Sequence, residues 1–166
     1  MREFIDTSVL ISAFRANHPQ HEASLTVLSA ARKKHSASAA HSLAEVYGVM
    51  TVLPVRPVIP PEQVVLFIQE IRERCTLVTL DEGEYFETIR SAAERGFVSG
   101  RIYDALLLRC AAKVKAETIY TWNLKDFRTL APELAPRIRT PSCAARTFSR
   151  RNSGSGISTV VRIQAY

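Results

Sequence analysis

Cysteine is scarce in this chain: Cys75, Cys110 and Cys143 stand far apart, and none belongs to a C-x-x-C pair. That excludes a disulfide framework and a cysteine-based zinc site, so the thiols read as reduced, with Cys75 and Cys110 packing as small hydrophobes. Also missing is any run of the roughly 18 to 20 apolar residues that a membrane span needs. Acidic Glu3 and Asp6 stand where a secretory leader would be basic and then apolar. These absences predict a cytoplasmic protein with no membrane association. His18, His21, His35 and His41 match no zinc spacing and read as surface or cap residues. A charge excess is missing from most of the chain as well. The formal net charge is +6, but residues 1–136 hold 16 Lys and Arg against 16 Asp and Glu; the surplus is Arg137, Arg139, Arg146, Arg150, Arg151 and Arg162. Basicity belongs to the C-terminal end and is no argument that the rest binds polyanions.

What is present is enough for one domain: 166 residues, 46% of them hydrophobic. Phe4 and Ile5 predict a strand ending at Asp6, and Ser8 to Phe14 has helical period. After the Asn17-His18-Pro19 break a helix is predicted from Gln20 to Lys34, with Ala23, Val27, Leu28 and Ala31 inward. His35 to Ala39 reads as a short strand. In "HSLAEVYGVMTVL" Leu43, Val46, Tyr47 and Met50 repeat at helical spacing, and a loop stiffened by Pro54, Pro57, Pro60 and Pro61 follows. Pro61 starts a helix to Arg74. "TLVTL" at 76–80 has the composition of a buried parallel strand, and Asp81 caps a helix ending at Gly96. Arg101 to Ala116 reads as a helix, Thr118 to Thr121 as a strand, and Arg137 to Thr140 as an edge strand. Strands alternating with helices predict an α/β layered fold with a mainly parallel sheet. Beyond Pro141 the chain lacks acids, is rich in Ser and Arg, and carries a Gly-Ser-Gly spacer. Residues 142–166 therefore read as a disordered tail or an appendage rather than part of the fold.

Four carboxylates interrupt apolar patterns where a strand has just ended or a helix is in its first turns: Asp6 in "FIDTS", Glu45 in "HSLAEVYGVM", Asp104 in "GRIYDALLLRCAAK" and Asp126 in "TWNLKDF". In open parallel sheets ligands collect at the carboxyl ends of strands, so the four are expected to converge on one rim. Each acid has an ordinary reading too. Asp6 and Asp126 suit helix or turn caps, Asp104 suits the positive first turn of its helix, and Glu45 suits a solvated helix face. Together, however, four close carboxylates repel one another, and a divalent cation with hard oxygen ligands, Mg²⁺ or Mn²⁺, resolves that repulsion. Such an ion activates water and stabilises charge on a phosphodiester, so an acidic cluster can cleave a polyanion without a His or Ser nucleophile.

"FIDTSVLISAF", "SLAEVYGVMT" and "GRIYDALLLRCAAKVKAETIYTWNLKDF" resemble, in order and spacing, the PIN-domain family of metal-dependent ribonucleases, in particular the VapC-type toxins. The resemblance covers residues 1–141, which would form the nuclease domain. It implies a three-layer α/β/α sandwich around a mainly parallel sheet, with a Mg²⁺ or Mn²⁺ site on Asp6, Glu45, Asp104 and Asp126. Asp6 and Asp104 would bind the ion directly. Thr7, Thr121 and Asn123 would stand behind the acids; many relatives carry an acid where this chain has Asn123, which contributes no charge. The resemblance also implies an RNA substrate, a VapB-type antitoxin as partner, and a homodimer. A catalytically weak PIN module that only binds RNA or a protein is the alternative. A phosphoacceptor domain ranks last, since it needs paired acids after the first strand and a lysine ending a late one. Trp122 and Tyr103, beside the acids, read first as core residues and second as bases' stacking partners. "RKK" at 32–34 and "KVK" at 113–115 read as solvated helix ends. The helix 61–74 carries more apolar surface, Val64, Val65, Leu66, Phe67, Ile68 and Ile71, than one buried face needs, and the surplus suits a dimer or antitoxin contact.

Overall fold

The computed structural model describes residues 1–54 and 58–142; Pro57, Cys143 and the expected tail from 143 onward lie outside the described residues. In chain order the elements are Glu3–Ile5 (β1), Thr7–Phe14 (α1), His21–Ala30 (α2), Ser36–Ala39 (β2), Ser42–Val52 (α3), Pro61–Arg74 (α4), Thr76–Val78 (β3), Glu82–Glu94 (α5), Arg101–Lys113 (α6), Thr118–Tyr120 (β4) and Leu124–Leu130 (α7). A 3₁₀ segment, Pro132–Arg137, leads into the last strand, Ile138–Arg139 (β5).

The five strands form one sheet in the order β3-β2-β1-β4-β5, every pairing parallel. Because successive strand residues point to opposite faces, β1 divides the core: Phe4 enters one cluster and Ile5 the other. Ile5 packs with Val9, Leu10, Val27, Leu28, Val46, Met50, Val64 and Ile71, which brings α1 to α4 onto that face. Phe4 packs with Leu107, Leu108, Ala111, Ile119, Phe127 and Leu130, so α6 and α7 cover the other. This is the three-layer α/β/α sandwich expected from the sequence. The small residues of β2, Ser36-Ala37-Ser38-Ala39, are all buried, and α6 lies against that strand where Ala37 and Ala39 leave room for Leu107 and Leu108. Cys75 and Cys110 are buried, and burial pushes their thiols up to about 12 and about 11, which leaves them unreactive packing groups. Among the described residues no helix is long and apolar enough to cross a membrane.

Local chemistry explains the boundaries. The Asp81 carboxylate accepts from the Glu84 amide (2.8 Å) and the Glu84 side chain accepts from the Asp81 amide (3.0 Å), a complete capping box that starts α5. Asp81→Ala is expected to cost about 1 kcal/mol; a urea titration that leaves the midpoint unmoved would contradict the cap. Gly96, at φ 71°, ends the same helix in the left-handed region.

Several elements differ from the sequence expectation. Helix α2 stops at Ala30, four residues before Lys34, because Ala31 turns extended and the Arg32 guanidinium donates to the carbonyls of Ser29 (2.9 Å) and Ala31 (2.7 Å). Helix α6 stops at Lys113, and β4 at Tyr120. The "TLVTL" strand is β3, shorter than 76–80 and at the sheet edge, with Thr79 exposed. Its apolar run reflects burial of one face rather than of both. Tyr47 is 41% exposed although its spacing placed it with Leu43 and Val46.

Candidate active site

The chain runs from β1 outward through β2 to β3, then returns to lay β4 on the other side of β1. The reversal makes the carboxyl ends of β1 and β4 the switch point where a crevice forms. Asp6 follows β1 directly, and its amide donates to the carbonyl of Tyr120 at the end of β4 (3.0 Å). Asp6 is buried, at the position preceding α1, yet its side chain makes no helix-cap hydrogen bond. Capping alone therefore does not account for this residue, although the Ser8 and Thr7 amides at the start of α1 also pull its carboxyl down.

Instead, one carboxylate oxygen of Asp6 is held by two hydroxyls. Ser8 Oγ donates to Asp6 Oδ2 (2.5 Å) and Thr121 Oγ1 donates to the same oxygen (2.8 Å). The segment after β4 continues the chain of bonds. The Trp122 amide donates to Ser8 Oγ (3.1 Å), and the Asn123 amide donates to Thr121 Oγ1 (2.9 Å). The Asn123 side-chain Nδ2 donates to Asp104 Oδ2 (2.8 Å). Residues 121–123 thus stitch Asp6 to Asp104, which α6 presents from its first turn. The Asn123 amide, as a donor, favours the ionised form of Asp104.

The electrostatics follow from this crowding. Burial pushes Asp6 above the usual carboxylate range, against the pull of the Ser8 and Thr121 hydroxyls. Asp104 is pushed up to about 7, first by burial, then by the negative charges of Asp6 and Asp126, with Glu45 adding to them and the Asn123 amide opposing. Glu45, in the first turn of α3, is raised by burial and by Asp6, while the Thr7 hydroxyl acts the other way. The Thr7 hydroxyl also donates to Ser42 Oγ (2.9 Å), which ties α1 to the start of α3. Asp126, in the first turn of α7, lies 3.5 Å from Arg101 at the start of α6. All four acids therefore share one rim, and all seven residues singled out from the sequence stand in or beside it.

As the side chains stand, no three His, Cys, Asp or Glu groups among the described residues close on a common point that would hold an ion. Asp6 is turned to Ser8 and Thr121, Asp104 to Asn123, Asp126 to Arg101, and Glu45 Oε1 is buried with no hydrogen bond. The donor set is nevertheless of the right kind for a hard divalent cation: all oxygen, with four carboxylates crowded closely enough that burial and the charges of Asp6, Asp126 and Glu45 push Asp104 up to about 7.

Three contributors were not evident from sequence. Ser8 was visible only as the residue after Thr7, and Arg101 is remote in sequence from Asp126. His41 stands one helical turn before Glu45, with Nε2 at 3.7 Å from Glu45 Oε1. The i, i+4 spacing was the available signal, and zinc spacing alone does not reveal it. Trp122 fits its core reading, packed against the Ile5 cluster with Nε1 donating to Ser24 Oγ (2.9 Å). Tyr103 is 56% exposed, contrary to the core reading, since it sits on the outward side of α6 next to Asp104.

The PIN domain family profile matches residues 4–131 of this chain. Ribonuclease VapC40 from two Mycobacterium tuberculosis strains is 32% identical over 124 residues, covering 75% of this chain and 88% of the relative. Among solved structures, VapBC-1 from nontypeable Haemophilus influenzae matches with TM-score 0.58 at 19% identity, over 84% of this chain and 98% of that one. VapC20 from M. tuberculosis, a sarcin-ricin loop cleaving toxin, matches with TM-score 0.59 at 17% identity, over 76% and 93%. At these identities the two structures speak for the fold alone.

Proposed function

This chain belongs to the PIN domain family, and from that premise we propose that it is a Mg²⁺- or Mn²⁺-dependent endoribonuclease, the toxin of a VapBC-type pair acting in the cytoplasm. The observation that carries the reading is the meeting of Asp6 and Asp104 across the β1/β4 switch point, linked through Thr121 and Asn123. Asp6 and Asp104 would hold the ion directly, with Glu45 and Asp126 completing the acidic pocket. When bound, the ion supplies a Lewis acid that makes four adjacent carboxylates tolerable and activates water toward a phosphodiester. The chain's own groups then orient the reactants. Thr121 and Ser8 fix the rotamer of Asp6, Asn123 fixes Asp104, and Thr7 steadies the Glu45 side of the pocket. Glu45 and Asp126 orient the attacking water and accept its proton. Tyr103, exposed beside Asp104, offers a face on which any single-stranded base stacks.

A small VapB-type antitoxin is the proposed partner and a homodimer the proposed state. Leu66 (64% exposed) and Val65 (44% exposed) lie on α4, and the exposed Tyr47 and Val52 lie on α3, the helix packed beside it; these are apolar side chains that the core leaves over. Residues 1–141 form the proposed nuclease domain, with the remainder an appendage to it.

The test is cleavage of labelled single-stranded RNA by the purified chain. Cleavage with Mg²⁺ or Mn²⁺ that stops on adding EDTA is expected. Binding of RNA without cleavage under either condition would replace the nuclease with a binding-only module.

A further inference from the structure

Among the described residues, two buried side-chain polar atoms lack a hydrogen-bond partner: His41 Nε2 and Glu45 Oε1. They face each other at 3.7 Å, a few tenths of an ångström beyond hydrogen-bond distance. Buried polar atoms are seldom left unpaired, and two complementary ones left beside each other call for an explanation. His41 occupies the position before α3, where a side chain commonly caps the helix, yet it makes no cap hydrogen bond. Its ring lies instead over the next turn, toward Glu45, as i, i+4 geometry directs. The other flank of Glu45 is set by the Thr7 hydroxyl and by Ser42, which Thr7 engages.

Resting on the metal-site reading above, we propose that His41 is a positioning residue for Glu45: Nε2–H closes on Oε1 and so fixes how the Glu45 carboxylate is presented to the acidic pocket. A small rotation of either side chain closes the gap, and a cation drawing on Glu45 supplies the reason for it to close. Carboxylates that serve a metal are themselves held by hydrogen bonds, and losing such an outer partner costs roughly 10- to 100-fold in affinity or activity.

The experiment is Mn²⁺ binding to the full chain without RNA, followed by electron paramagnetic resonance, for wild type, His41→Ala and His41→Gln. His41→Ala is expected to weaken Mn²⁺ by roughly 10- to 100-fold, and His41→Gln, which keeps a terminal N–H, to recover most of the loss. His41→Leu, which restores the volume without an N–H, should not recover the loss; recovery by His41→Leu would make His41 a space-filling residue and overturn the proposal. Wild-type protein supplies a measurement independent of variant folding: Mg²⁺ should shift the His41 imidazole ¹⁵N resonances and slow exchange of the Nε2 proton. Wild-type Mn²⁺ binding that His41→Ala leaves unchanged, or imidazole resonances indifferent to Mg²⁺, would overturn the role of His41 and leave the nuclease standing. Wild-type protein that binds neither ion would overturn both.

Discussion

Asp104→Asn is expected to abolish metal-dependent RNA cleavage while leaving the fold intact. The loss should exceed the roughly 10- to 100-fold attached to an outer partner, because this side chain is proposed to touch the ion itself. The fold should survive because Asp104 lies on the rim, and an asparagine oxygen can still accept from Asn123 Nδ2. The substitution also removes a charge that burial and its neighbours Asp6, Asp126 and Glu45 resist. The sign of the stability effect follows. A carboxyl whose folded pKa is raised to about 7 binds its proton more tightly in the folded state, so its contribution is full at low pH and lost as pH rises through about 7. Metal-free Asp104→Asn should therefore melt at or above wild type at pH 8. Calorimetry in EDTA measures this alongside the cleavage assay. A variant that folds and cleaves at the wild-type rate would remove Asp104 from the chemistry.

The second large effect is the pH dependence of metal binding. An ion binding the ionised form must displace the proton from Asp104 below about pH 7, and the upward shifts of Asp6 and Glu45 act in the same direction. Apparent Mn²⁺ affinity should fall about tenfold per pH unit below 7, the cost of one displaced proton. Calorimetric titration in two buffers of different ionisation enthalpy should record proton release near pH 6. An affinity that stays flat from pH 5.5 to 8 would mean that the acids do not share an ion. By the same dependence a bound cation would offset at pH 8 the repulsion that protonation relieves at pH 5, and would stabilise the fold there.

Most of the element order is legible from local pattern. The strand before Asp6, the proline start of α4 and the capping of α5 by Asp81 each depend on residues within one turn of each other. Boundaries slipped where distant groups intervened. Arg74 donates to the Ser29 carbonyl near the end of α2, and the Thr76 hydroxyl donates to the Lys33 carbonyl, contacts that hold residues 31–34 out of the helix. Tyr47 shares the helical repeat of its neighbours but sits on the margin of the α3 stripe, 41% exposed where Val46 and Met50 are buried. At the site, the acids stood out because each breaks an apolar run. Their supports did not, because serine, threonine and histidine are at home in caps and turns everywhere.

The sequence by itself determined which residues carry charge into apolar surroundings, the order in which strands and helices follow one another, and that the cysteines and histidines lack disulfide-framework or zinc spacing. It determined these because strand ends, caps and helical stripes are set by near neighbours along the chain. Only the tertiary structure decided that Thr121 donates to Asp6 across 115 positions, that Asn123 reaches Asp104, and that His41 turns toward Glu45 rather than to solvent. The physical reason is strand order. The chain leaves β1 toward β3 and returns to its other side with β4, so two strand ends remote in sequence share one rim of the sheet, and burial there raises Asp6 and the neighbouring Asp104.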